Sequence, residues 1–112
     1  MTVADNSVTQ LRRGVLEHCV LALLAGEPRY GYDLVTELSE AGLIASEGTL
    51  YPLLSRLRKE QLVETTWQES SGGPPRRYYS LSPRGESAVA GFRPAWTDFK
   101  RSVDDILERR TR

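Results

Sequence analysis

Between Ser46 and Leu81 the apolar period changes once, and that change limits the chain to a narrow set of folds. Leu50, Leu53, Leu54 and Leu57 recur at steps of three and four, the period of one helix face. Ser46 opens this stretch and is followed by a polar, hydroxyl-bearing first turn. From Val63 to Leu81 the pattern turns β-rich, with Thr65, Thr66 and Trp67 on one side and Tyr78 and Tyr79 on the other of Ser71-Gly72-Gly73-Pro74-Pro75. The expected structure is a helix followed by a two-stranded hairpin with Arg76 and Arg77 near its tip. Such a helix buries its leucines and shows Ser, Thr, Tyr and Arg outward, which suits a major groove. An arginine-tipped hairpin beside it suits phosphates or a minor groove.

The flanking segments fit a mainly α fold. Leu11, Val15, Leu16, Cys19, Val20, Leu23 and Leu24 recur at helical spacing until Gly26 and Pro28. A second helix, about Tyr30 to Ala41, points Leu34, Val35 and Leu38 inward and ends at Gly42, whose missing side chain permits a left-handed cap. The third helix, about Ser46 to Glu60, contains Pro52, which removes the bond to the Gly48 carbonyl and predicts an irregular start. Ser82 caps a last helix with Pro83 at its first position. Along it Gly85, Val89, Phe92, Trp96, Phe99, Val103 and Ile106 alternate steps of four and three, a heptad seam. Too little domain lies beside this stripe to cover it, so a second copy is the natural partner, with Leu11 of the first helix joining the dimerisation set. Pro94 is expected to bend or break the helix just before Trp96. The reading is a winged helix-turn-helix domain over residues 10–81, a C-terminal dimerisation helix over 82–112 and a flexible N-terminus over 1–9.

Composition excludes several classes. With 112 residues the chain has one domain's length. Fifteen Lys and Arg balance fifteen Asp and Glu, so there is no uniformly basic coat. Residues 1–54 carry three basic and seven acidic side chains, while residues 55–84 carry six basic and three acidic. One cysteine and one histidine give neither a disulfide nor a usual zinc ligand set, and His18 and Cys19, adjacent on a helix, point in different directions. No apolar run is long enough for a bilayer, and no signal peptide is apparent, which makes the cytoplasm the default compartment. Without a Ser/His/Asp set or a Gly-rich phosphate loop, no enzyme, cofactor or metal is expected.

Three motifs in order, Tyr30-Gly31-Tyr32, Ser46-Glu47-Gly48-Thr49-Leu50-Tyr51-Pro52-Leu53 and Gly72-Gly73-Pro74-Pro75-Arg76-Arg77-Tyr78-Tyr79, resemble the PadR-like winged-helix transcriptional regulators. The resemblance runs from about Gly14 to the end of the chain. It implies that helix and wing enter operator DNA, with Thr49, Tyr51, Arg76 and Arg77 as contacts. Ser46 and Arg56 on the helix, Gly73 at the hairpin tip and the Tyr30 hydroxyl complete the candidate DNA-binding set. Strand alternation allows only one of Arg76 and Arg77 to face DNA. On spacing alone, a plain amphipathic helix capped by Ser46 and a solvated hairpin explain the same residues; the ordered motifs reverse that preference. Some PadR-like repressors enclose flat ligands between aromatic residues of the last helix and the partner's first helix. Carried over, Val15, Cys19, Phe92 and Trp96 would hold a small planar hydrophobic or aromatic effector, with simple packing as the competing reading. The expected function is a homodimeric, ligand-responsive repressor of a nearby operon, reading a near-palindromic operator whose half-sites lie roughly one helical turn, about 10 base pairs, or a multiple apart. The zero net charge keeps one rival, a winged-helix protein-interaction module that does not bind DNA specifically.

Overall fold

The structure, a computed structural model, describes residues 3–109. Four helices and a small antiparallel sheet follow in the order α1 (Val3–Leu23), β1 (Arg29–Tyr30), α2 (Gly31–Glu40), α3 (Glu47–Lys59), β2 (Val63–Ser70), β3 (Gly73–Leu81) and α4 (Pro83–Glu108). The sheet order is β1-β3-β2, and the whole is a winged helix-turn-helix.

The core is built from Leu16, Val20, Leu21 and Leu24 of α1, Leu34 and Leu38 of α2, and Leu50, Leu54 and Leu57 of α3, closed by Ile44, Val63, Tyr79 and Val89. Leu21 lies outside the stripe expected for the first helix yet is almost fully buried. The C-terminal half of α1 is surrounded, so its apolar face is wider than a surface helix requires.

Three elements differ from expectation. First, α1 begins at Val3, so residues 3–9 extend the helix instead of forming a loose lead; residues 1 and 2 of that expected segment lie outside the described residues. No glycine or proline precedes Gly14, so nothing in the sequence stops the helix earlier. Second, α4 runs through Pro94 without a break. The carbonyl left without its helical donor is that of Ala90, which is exposed and open to water. Third, the two-residue β1 was not anticipated: Arg29 pairs with Tyr79 and Tyr30 with Tyr78. Two residues are too few to carry an alternating pattern.

Local chemistry explains the joints. Gly42, at φ +76°, ends α2 in a left-handed cap, with Gly42 N–H donating to the Ser39 carbonyl at 3.0 Å and Leu43 N–H to the Leu38 carbonyl at 2.9 Å. In the wing, Gly72 takes the positive φ of +75°, whereas Gly73 already lies in β3 opposite Ser70. Pro74 and Pro75 fall where the pairing is bulged between Gln68 and Ser70, and Ser70 Oγ donates to the Pro74 carbonyl at 2.6 Å. The prolines therefore remove no regular ladder bond.

Candidate nucleic-acid interface

The first turn of α3 has polar groups to spare. Ser46 sits at the N-cap with extended backbone, but its hydroxyl makes no capping bond. Thr49 N–H donates to the Ser46 carbonyl at 3.1 Å, a tightened first turn consistent with the irregular start expected from Pro52. Ser46, Gly48 and Thr49 are exposed, whereas Leu50, Leu54 and Leu57 point into the core. The Ser46 hydroxyl and the N–H groups of Glu47 and Gly48 therefore remain free for an acceptor from outside, while that of Thr49 is taken by the Ser46 carbonyl.

Tyr51 carries this surface across to α2. A Cβ added to Gly31 would lie 3.0 Å from Tyr51 Cε1, 3.2 Å from its hydroxyl and 3.4 Å from Tyr79 Cε1, so the tyrosines close over the start of α2 where only glycine fits. Burial, then the negative Glu47 and the neighbouring Tyr30 and Tyr79, push the Tyr51 phenol above its ordinary value. It is therefore a protonated donor at neutral pH.

On the wing, the Arg76 guanidinium stands 4.8 Å over the Tyr30 ring, and Tyr30 in turn leans on Tyr32 and Tyr78. Arg77 stands 4.8 Å over Trp67, its cross-strand partner, on the opposite face of β3. Ser46, Thr49 and Tyr51 are exposed along the start of α3, and Tyr30 lies close to both Tyr51 and Arg76; Gly73 lies at the far tip, and Arg77 shares the other face of β3 with Tyr79. Arg56 does not join them. Its guanidinium is bound to Glu17 of α1 at 2.8 Å and to Glu60 at 3.1 Å, and these hydrogen bonds raise its pKa further. A side chain held by two carboxylates is turned toward α1 and away from the first turn of α3.

A second region lies between α1 and α4. An apolar groove of about 910 Å³ is lined by Val8, Leu11, Val15, Phe92, Trp96 and Phe99, among others. A smaller cavity of about 260 Å³ has His18, Cys19, Arg93 and Thr97 beside the same Phe92 and Trp96. Phe92 and Trp96 are stacked with centroids 6.1 Å apart and touch both spaces. Within one chain Val15 lines the groove and Cys19 the smaller cavity, whereas the pocket expected for an effector takes its first helix from a partner copy. His18, set aside in the sequence, lies flat on Phe92 at 3.9 Å and 3°. Burial raises the Cys19 thiol above its ordinary value of 9.0 and so keeps it protonated at neutral pH.

The model of the transcriptional regulator PadR-like family matches residues 20–91, well over half of the chain. The chain belongs to this family. Its members are transcriptional regulators, not enzymes. The crystal structure of a PadR-like regulator from Bacillus cereus is 39% identical with a TM-score of 0.83, covering 90% of this chain and 99% of that one. A transcriptional regulator of Mycobacterium tuberculosis is 33% identical over 94 residues, 84% of this chain and 87% of its own. The Bacillus subtilis PadR solved with operator DNA shares the fold at a TM-score of 0.61 and 22% identity, with 88% of this chain covering 49% of that one. The PadR-like match ends at Gly91, so the exposed seam of α4 beyond it is described by this chain's own geometry.

Among the residues of this PadR-like chain that sequence reasoning missed, Trp67 holds Arg77 and His18 covers Phe92. The Trp67–Arg77 pair was legible only given the hairpin register, which the bulge at Gln68/Ser70 shifts. Among the described residues, no helix is long and apolar enough to cross a membrane.

Proposed function

We propose that the protein is a cytoplasmic, homodimeric, sequence-specific DNA-binding repressor of a nearby operon, reading a near-palindromic operator through residues 10–81 and pairing through residues 82–112. The observation that carries this reading is the exposed first turn of α3 with its uncommitted donors, next to Tyr30, which lies close to both Tyr51 and Arg76. Thr49 and Tyr51 address base edges, and Arg76, steadied by Tyr30, neutralises a phosphate. Gly73 at the wing tip engages the flanking backbone, while Arg77, on the other face of the wing, stays on Trp67. The complex of Bacillus subtilis PadR with operator DNA supports operator binding by analogy of fold. Pairing is supported by the exposure of Leu11, Phe99 and Ile106, at 67%, 61% and 58%, on neighbouring faces of α1 and α4. Closing two such faces together would turn the groove at Phe92 and Trp96 into an enclosed apolar space for a planar effector, which releases DNA only by binding the two states unequally.

The test is fluorescence anisotropy of the protein with its own upstream duplex and with a shuffled duplex, at low and high salt. Tight, salt-sensitive binding that prefers the native duplex is expected. Equal or absent binding at both salts would favour the protein-interaction module.

A further inference from the structure

The end of α3 and the start of α4 meet in a corner remote from both the DNA-facing surface and the groove. The chain leaves α3 through Gln61, whose φ of +63° lies in the left-handed region that favours glycine. Gln61 N–H donates to the Arg58 carbonyl at 3.0 Å and Leu62 N–H to the Leu57 carbonyl at 2.9 Å, so the strained residue closes the helix as a glycine would. The Gln61 carbonyl accepts a hydrogen bond from Ser82 Oγ at 2.6 Å. The same hydroxyl accepts from Gly85 N–H at 3.0 Å, while Ser82 N–H donates to the Leu62 carbonyl at 3.2 Å. Gly85 presses on that carbonyl so closely that a Cβ would stand 2.1 Å from it. Ser82 is itself buried.

An N-cap needs only an acceptor. The hydroxyl's proton therefore has a separate task, tying the exit of the helix that carries Thr49 and Tyr51 to the helix that carries the apolar seam. The hairpin is otherwise the covalent path between them. We infer that Ser82 is a positioning residue whose donated hydrogen bond to Gln61 locks α3 and α4 into one rigid piece. Pairing of two copies through α4 then fixes the separation of the two reading helices, and with it the half-site spacing the protein accepts. This rests on the dimeric DNA-binding reading above.

Capping and locking separate in Ser82→Asp, which keeps an acceptor for Gly85 N–H and loses the donor to Gln61; Ser82→Thr keeps both, and Ser82→Ala, which loses both, replaces the Asp variant should that one not fold. The experiment combines amide hydrogen exchange on the free protein with binding to duplexes selected by the wild-type protein from a randomised library, their half-sites then moved apart in single base-pair steps. In Ser82→Asp the Gly85 amide stays protected, whereas the residue 82 amide, bonded to Leu62, exchanges about tenfold faster, the factor one ordinary hydrogen bond carries. Discrimination between spacings falls by about the same factor, affinity for an isolated half-site is unchanged, and Ser82→Thr behaves as wild type. For Ser82→Ala the residue 82 amide and the spacing series respond alike, with the lost cap read separately at Gly85. Undiminished protection at residue 82, undiminished spacing discrimination, or an equal loss at isolated and paired half-sites would overturn the lock. If the wild-type protein selects no duplex, the DNA reading and the spacing role fail together, and exchange at residue 82 alone decides whether α3 and α4 are locked.

Discussion

The two halves of α4 follow one apolar period and meet opposite fates. Gly85 and Val89 are buried against the head of the molecule, with Gly85 in contact with the Leu62 carbonyl. Phe99, Val103 and Ile106 continue the same steps of three and four into solvent. A heptad repeat specifies a face without specifying what covers it. In the first half the cover is this chain's own α1, the end of β3 and Leu62; the second half is bare in this chain, and on the proposed pairing a second copy offers the same stripe.

The largest expected effect breaks the first half. Gly85→Ala forces a Cβ into the Leu62 carbonyl and should cost more than about 4 kcal/mol in urea denaturation, in the range of severe core disruptions. Gly91→Ala, only six residues along the same helix but with nothing within 4 Å of the new Cβ, should instead stabilise by up to about 1 kcal/mol. Similar effects of the two substitutions would contradict the division of α4.

Breaking the second half should leave the fold intact. Phe99→Asp places a charge on the exposed seam, so on the proposed pairing sedimentation should show a dimer for the wild-type protein and a monomer for the variant, with the circular dichroism unchanged. A variant that remains dimeric would require another pairing face. Among the smaller effects, Arg56→Ala should cost no more than about 1 kcal/mol of stability, as exposed ion pairs do, and should leave DNA affinity close to wild type. A large loss of DNA binding in that variant would mean that Arg56 leaves Glu17 and Glu60 for the operator.

Much of this was legible in the sequence because the informative residues act locally. Helical spacing located the leucines of α3, glycine marked the ends of α2 and the hairpin, and Ser82-Pro83 announced α4. Features set by long-range pairing were not legible. β1 exists only because β3 passes beside it, and Arg56 is turned aside by Glu17, thirty-nine positions away in sequence. Gln61 gave no sign of its left-handed backbone, since that conformation is held by Ser82 and the closing bonds of α3 and is not favoured by its own side chain. Within one chain Val15 and Cys19 lie one helical turn apart yet open on different spaces beside Phe92 and Trp96, a separation that helical spacing does not show.

Arg76 gives the most direct test of the surface proposed to face DNA. Affinity for the selected duplex should be measured across a series of salt concentrations for the wild-type protein and for Arg76→Ala. If Arg76 neutralises a phosphate, the slope of log affinity against log salt should become shallower by about 1 for each reading head, with weakening on all sequences alike. An unchanged slope and affinity would remove Arg76 from the interface, and with it the surface proposed to bind DNA.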